Sequence, residues 1–155
     1  MKSISSVYRL AATCMFTAFS ILAHAAPAGA SPDQLLQEAT LVLQQIDASQ
    51  YTALWQETVP FVRSAYTADS FAKGLTQSRQ SLGTIDHRSW ASITRLTYLH
   101  DKSVPDGVYA NVDYATQLRD GRIVYEKVSF QLASDGRWLF TGYAPRQDQV
   151  AAMQP

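Results

Sequence analysis

From residue 31 onward, the spacing of apolar positions changes once. Leu35, Leu36, Ala39, Val42, Leu43 and Ile46 recur at three- and four-residue steps, which predicts a helix with one apolar stripe. Ser31-Pro32-Asp33 supplies its start: a hydroxyl N-cap, a proline at the first helical position and a carboxylate near the positive helix end. A second helical piece, residues 50–58, carries Tyr51, Leu54 and Trp55 and must stop before Pro60. Residues 61–66 read as a short further turn. From Thr67, Phe71, Leu75, Arg79 and Leu82 predict another helix closed by Gly83.

After Gly83 the period falls to two. Residues 87–99, 108–118, 123–133 and 137–143 alternate and are rich in Val, Ile, Thr, Tyr and Trp. Asp-Gly pairs at 106–107, 120–121 and 135–136 separate them, and such pairs tolerate the positive φ of tight hairpin turns. Four consecutive antiparallel strands follow. Helices before and strands after imply an α+β fold, with N-terminal helices packed on a curved four-stranded antiparallel meander.

The first residues have a different pattern. Lys2 and Arg9 precede an apolar run over residues 10–22, and Ala23-His24-Ala25 has the small-x-small form of a cleavage site. Residues 1–25 therefore read as a secretory signal peptide cut after Ala25. The run is 13 residues long, whereas a membrane anchor needs about 18–20. Cys14 lies inside this run, which argues against a lipidated start. The expected organisation is a signal over 1–25, a loose segment over 26–32, one domain over 33–146 and a loose tail over 147–155. A periplasmic or secreted location follows.

Composition then narrows the function classes. The 155-residue chain has 13 Lys+Arg and 13 Asp+Glu, 46% apolar residues and one cysteine. Loss of residues 1–25 removes Lys2, Arg9 and Cys14, leaving 11 − 13 = −2 and no thiol. A disulfide framework and a thiolate metal cluster are excluded. Arg63, Lys73, Arg79, Arg119, Arg122, Arg137 and Arg146 are interleaved with Asp69, Asp86, Asp113, Asp120, Asp135 and Asp148, so no basic stripe for nucleic acid is expected.

Several local features have a family likeness. They are Tyr51 with Trp55, the Leu82-Gly83 helix stop, Arg88 opening the first strand, Val104-Pro105-Asp106-Gly107-Val108-Tyr109, Glu126-Lys127-Val128, and Asp135-Gly136-Arg137-Trp138 followed by Gly142-Tyr143. In this order the chain resembles a family of exported bacterial proteins known as domain of unknown function 4019, over about residues 33–146. The resemblance implies a cone similar to cystatin or nuclear transport factor 2, with helices wrapped by the sheet, and it transfers no catalytic residue. Leu99-His100-Asp101-Lys102 is more polar than that pattern implies.

Glu126 is the most informative single residue. In Val124-Glu126-Val128-Phe130-Leu132 it is the one carboxylate on an otherwise apolar strand face, so alternation places it on the covered side. Two readings follow: a structural ion pair with Arg88 or Arg95, or an acid or base with a raised pKa. A lone buried acid without a second converging polar group favours the first. His87 and His100 have no His-x-His or His-x-x-x-His partner, no metal is expected, and no Gly-x-Ser-x-Gly or Ser-x-x-Lys is present.

Of the aromatics Tyr51, Trp55, Trp90, Tyr109, Tyr114, Trp138, Phe140 and Tyr143, most are expected in the core. Ligand or partner contact is assigned to Tyr109, Tyr114, Glu126, Trp138 and Tyr143. The expected function is an exported binding or interaction module without a catalytic constellation and without a cofactor. Its partner is a protein of the cell envelope, such as a toxic enzyme, or a small ligand, with no nucleic acid and no membrane span after signal cleavage. The alternative is a cofactor-independent isomerase- or hydratase-like enzyme using Glu126, or Asp113 with Tyr114 or Tyr125, in a cone-shaped pocket.

Overall fold

In the computed structural model, residues 31–147 are described, and the expected signal peptide with Cys14 and the residues beyond Gln147 lie outside them. Helix α1 spans Pro32–Asp47, and its N-cap Ser31 accepts a hydrogen bond from the Asp33 N–H at 3.2 Å. The expected stripe is buried: Leu35, Ala39, Val42, Leu43 and Ile46 all face the interior. Two short helices follow, α2 (Tyr51–Gln56) and α3 (Pro60–Ala65). Helix α4 (Ala68–Gln80) opens on a capping box in which Thr67 Oγ1 accepts from the Ser70 N–H and Ser70 Oγ accepts from the Thr67 N–H.

The strands are β1 (Ile85–Tyr98), β2 (Gly107–Leu118), β3 (Ile123–Leu132) and β4 (Trp138–Arg146), in the order β1-β2-β3-β4 with every pair antiparallel. The α+β fold with helices packed on a four-stranded antiparallel sheet is thus the observed one. Helix α1 lies across β2, β3 and β4. Its stripe meets Ala110, Val112, Tyr114, Val128, Phe130, Trp138 and Phe140 in one core.

Three details differ from the sequence reading. Asp106-Gly107 does not form a two-residue turn: it ends a longer connection over residues 99–106, where Asp106 Oδ1 accepts from the His100 N–H at 2.6 Å and Asp101 Oδ1 accepts from the Ser103 N–H at 2.7 Å. Side-chain acceptors there do what the tight turn does in the other two hairpins, whose Gly121 and Gly136 hold φ of +87° and +83°. Strand β4 runs to Arg146, beyond the expected end at 143, because Pro145 sits on an edge strand where a missing N–H is tolerated. Trp90 is not core. It is 59% exposed, on an edge strand whose register shifts between Trp90 and Ser92.

The two sheet edges are unlike. At β4, Thr58 bridges Phe140 in parallel and the Val59 N–H donates to the Phe140 carbonyl at 3.0 Å, so that edge is covered. Strand β1 is the other edge, with two register shifts along it. Among the described residues no helix is long and apolar enough to cross a membrane.

Removal of a fully buried stripe residue must leave a cavity under α1. Ile46→Ala should lose about 2–5 kcal/mol in chemical denaturation, whereas Leu41→Ala, on the exposed side of the same helix, should stay within about 0.5 kcal/mol.

Candidate functional site: a saturated carboxylate beneath the helix layer

Strand alternation turns Val124, Glu126, Val128 and Phe130 toward the helices, and Glu126 is 0% exposed. Both of its oxygens are occupied. Oε1 accepts from Arg88 Nε at 2.7 Å and from Thr116 Oγ1 at 2.5 Å, and Oε2 accepts from Arg88 Nη2 at 3.2 Å and from Tyr143 Oη at 2.5 Å. A carboxylate offers about four acceptor positions, so this group is saturated. The ion-pair reading of Glu126 is the one realised, and Arg88 is the partner. Arg95 lies elsewhere, over the Trp138 ring at 5.7 Å.

The pair extends into the helix layer. Arg88 also donates from Nη1 to Asp47 Oδ2 at 2.5 Å and from Nη2 to Asp47 Oδ1 at 3.1 Å. Arg79 Nε donates to the same Asp47 Oδ1 at 2.7 Å, and its Nη1 reaches the Gly83 carbonyl at 2.9 Å. One network therefore joins α4, α1 and all four strands: Arg79, Asp47, Arg88, Thr116, Glu126 and Tyr143. Asp47 is the last residue of α1, where the helix dipole disfavours an anion, and the two arginines compensate.

The electrostatics follow from these contacts. Burial pushes the Asp47 carboxyl up, but the hydrogen bonds and charges of Arg88 and Arg79 outweigh it and hold the group below its ordinary value. Burial works against the Arg88 charge, yet Asp47 and Glu126 raise its pKa above the usual guanidinium range. Burial, then the Glu126 charge, pushes the Tyr143 phenol far up, so it stays protonated and donates. A groove of about 560 Å³ passes over the network, lined by Thr40, Asp47, Arg79, His87, Arg88 and Tyr114 among others.

The five residues assigned to contact do not form one site. Tyr114 and Glu126 are cross-strand neighbours and Tyr143 joins them on the covered face, with Tyr114 Oη 3.4 Å from Thr40 Oγ1. Trp138 is buried at the start of β4, in the core. Tyr109 alternates to the opposite face and donates to the Pro105 carbonyl at 2.9 Å. Asp113 and Tyr114 likewise point to opposite faces, and Asp113 is ion-paired with Arg146. His87 and His100 are exposed, beside Asp86 at 3.0 Å and Asp106 at 3.7 Å. Among the described residues no three His, Cys, Asp or Glu groups gather around a metal position.

Sequence reasoning missed Thr116 and Asp47. Thr116 shares the inward set with Val112 and Tyr114, so alternation marks it as a polar group needing a partner. Asp47 carried its own signal, an acid in the last turn of a helix.

Fold and network together define a small α+β domain in which the fully buried Glu126 carboxylate is committed to joining its layers. The chain belongs to the family described as protein of unknown function DUF4019, which matches residues 38–143. No curated protein and no solved structure matches it.

Two outcomes test the network. Thr116→Val and Tyr143→Phe each remove a donor from a buried carboxylate and should lower unfolding free energy by about 1–3 kcal/mol. Asp47 has a depressed folded-state pKa, so its contribution exists above the unfolded carboxyl value and is lost as pH falls through the folded one. Melting curves of the native chain and Asp47→Asn should therefore differ at neutral pH and converge in acid.

Proposed function

We propose that the protein is an exported binding module of the cell envelope that carries no catalytic centre and meets its partner, a protein or a small ligand, on its surface. The observation that carries this reading is the saturation of Glu126. An isomerase or hydratase working from that residue needs the carboxylate open to a cavity, and here four donors occupy it under a core filled by Leu35, Ile46, Val128, Phe130 and Phe140. Asp113, the other acid of that reading, is bound by Arg146 and lies on the opposite face from Tyr114.

What stays accessible is peripheral: grooves beside the helices, the face of the sheet away from them, and the β1 edge with exposed Trp90. Export rests on Lys2, Arg9, the apolar run over 10–22 and Ala23-His24-Ala25. A toxic enzyme of the same compartment is one partner that such a module would serve to block.

Two measurements test this. The full chain with a C-terminal tag, expressed in a bacterium with an outer membrane, should be recovered from the osmotic-shock fraction with Ala26 as its first residue; retention in the cytoplasm with Met1 intact contradicts export. Native mass spectrometry of that fraction should show the chain with added mass, protein or small molecule. A monomer of bare chain mass throughout contradicts the binding reading.

A further inference from the structure

The sheet face opposite α1 carries a trough of about 320 Å³ crossing all four strands, with Leu96 and Tyr98 from β1, Asn111 from β2, Lys127 and Ser129 from β3, and Gly142 from β4. Phe61, Val104 and Tyr109 also line it, so much of the lining is apolar. The polar groups in it are unbalanced. Ser129 Oγ donates to Asn111 Oδ1 at 2.7 Å, which uses the amide's acceptor and leaves its NH₂ group to donate elsewhere. The half-buried Lys127 adds three donors and, among the described residues, has no ion pair or hydrogen bond.

The carboxylate across the strand pair from Lys127 is already bound. Asp113 is its cross-strand neighbour, but Arg146 Nη2 binds Asp113 Oδ1. Asp113 is thus taken by Arg146, which keeps buried Nε and Nη1 donors without a partner among the described residues. An apolar trough in which the Lys127 ammonium and the Asn111 amide NH₂ hold donors without a partner among the described residues is matched by a ligand that brings acceptors and a negative charge on an apolar body.

We propose that this trough binds a small organic carboxylate, its anionic group at Lys127 and Asn111 and its apolar body along Leu96, Tyr98 and Phe61. The site is open at β4 because Gly142 has no side chain: a Cβ there would meet nothing within 4 Å, and its register partner Ser129 places it on the trough side. The inference rests on the binding-module reading and names the ligand class for it.

The probes are octanoate, octan-1-ol and octylammonium, titrated into the ¹⁵N-labelled protein and followed by amide chemical shifts. Octanoate should give saturable shifts centred on Leu96, Asn111, Lys127 and Gly142, with the alcohol and the ammonium binding about ten-fold or more weaker. Lys127→Met should weaken octanoate by a similar factor and Lys127→Arg should recover part of it. Gly142→Val leaves Lys127 in place, projects an isopropyl group into the trough and should weaken the octanoate shifts while amide dispersion stays native. Equal binding of octanoate and octan-1-ol, equal binding by the native chain and Lys127→Met, shifts centred elsewhere, or no saturable shift each overturns the proposal. Added mass in the native spectrum with no octanoate binding would defeat the trough and leave the module reading standing, and a bare chain in both would defeat the two together.

Discussion

The Arg88–Glu126 pair is the interaction on which the arrangement of the layers depends. Taking two charges out of water costs several kcal/mol per ion, and mutual attraction offsets that only when the remaining donors and acceptors are also met. Here Thr116 and Tyr143 complete the carboxylate, while Asp47 takes the far side of the guanidinium. Each partner comes from a different element, so the charge is satisfied only when α1 lies on the sheet with its Asp47 end at Arg88. A one-residue slip of β3 would carry Glu126 to the opposite face and leave Arg88 bound to Asp47 alone.

This commitment divides the molecule. On the helix side, the Glu126 carboxylate is buried with all four of its acceptor positions met, and the surrounding space is filled by aliphatic and aromatic side chains. On the other side, Asn111, Lys127, Ser129 and the Asp113–Arg146 pair lie on a sheet face with no helix layer. Edges are treated as unequally as faces. The Thr58–Val59 segment covers β4, whereas β1 is left as an edge with two register shifts, the kind of irregularity that discourages strand addition.

Much of the fold was legible because the period of apolar residues is a local property. The α1 stripe, the Thr67 cap and the alternation of β3 all follow from spacing alone, and the inward place of Glu126 came with them. Arg88 could be named as a partner because a buried acid demands a cation and the first strand offers two. What spacing could not give was choice among distant groups. Asp47 reaches Arg88, and Arg79 reaches Asp47, only once α1 and α4 are packed on the sheet, a three-dimensional fact with no trace in periodicity. Trp90 misled for a related reason: its residue type says core, but the register shift at the β1 edge and the reach of the helix layer decide its exposure. Asp106-Gly107 misled because the residues before it satisfy the backbone through Asp101 and Asp106 side chains and lengthen the turn.

The claim that Glu126 joins layers and does no chemistry is tested most directly by a double-mutant cycle with Arg88→Met and Glu126→Leu, read by chemical denaturation. Arg88→Met strands the buried Glu126 charge and should cost about 3–5 kcal/mol, Glu126→Leu leaves Arg88 with Asp47 alone and should also destabilise, and the double variant should lose less than the sum, because it removes both members of the buried pair. Additive losses, or a Glu126→Leu protein as stable as the native chain, would contradict the account.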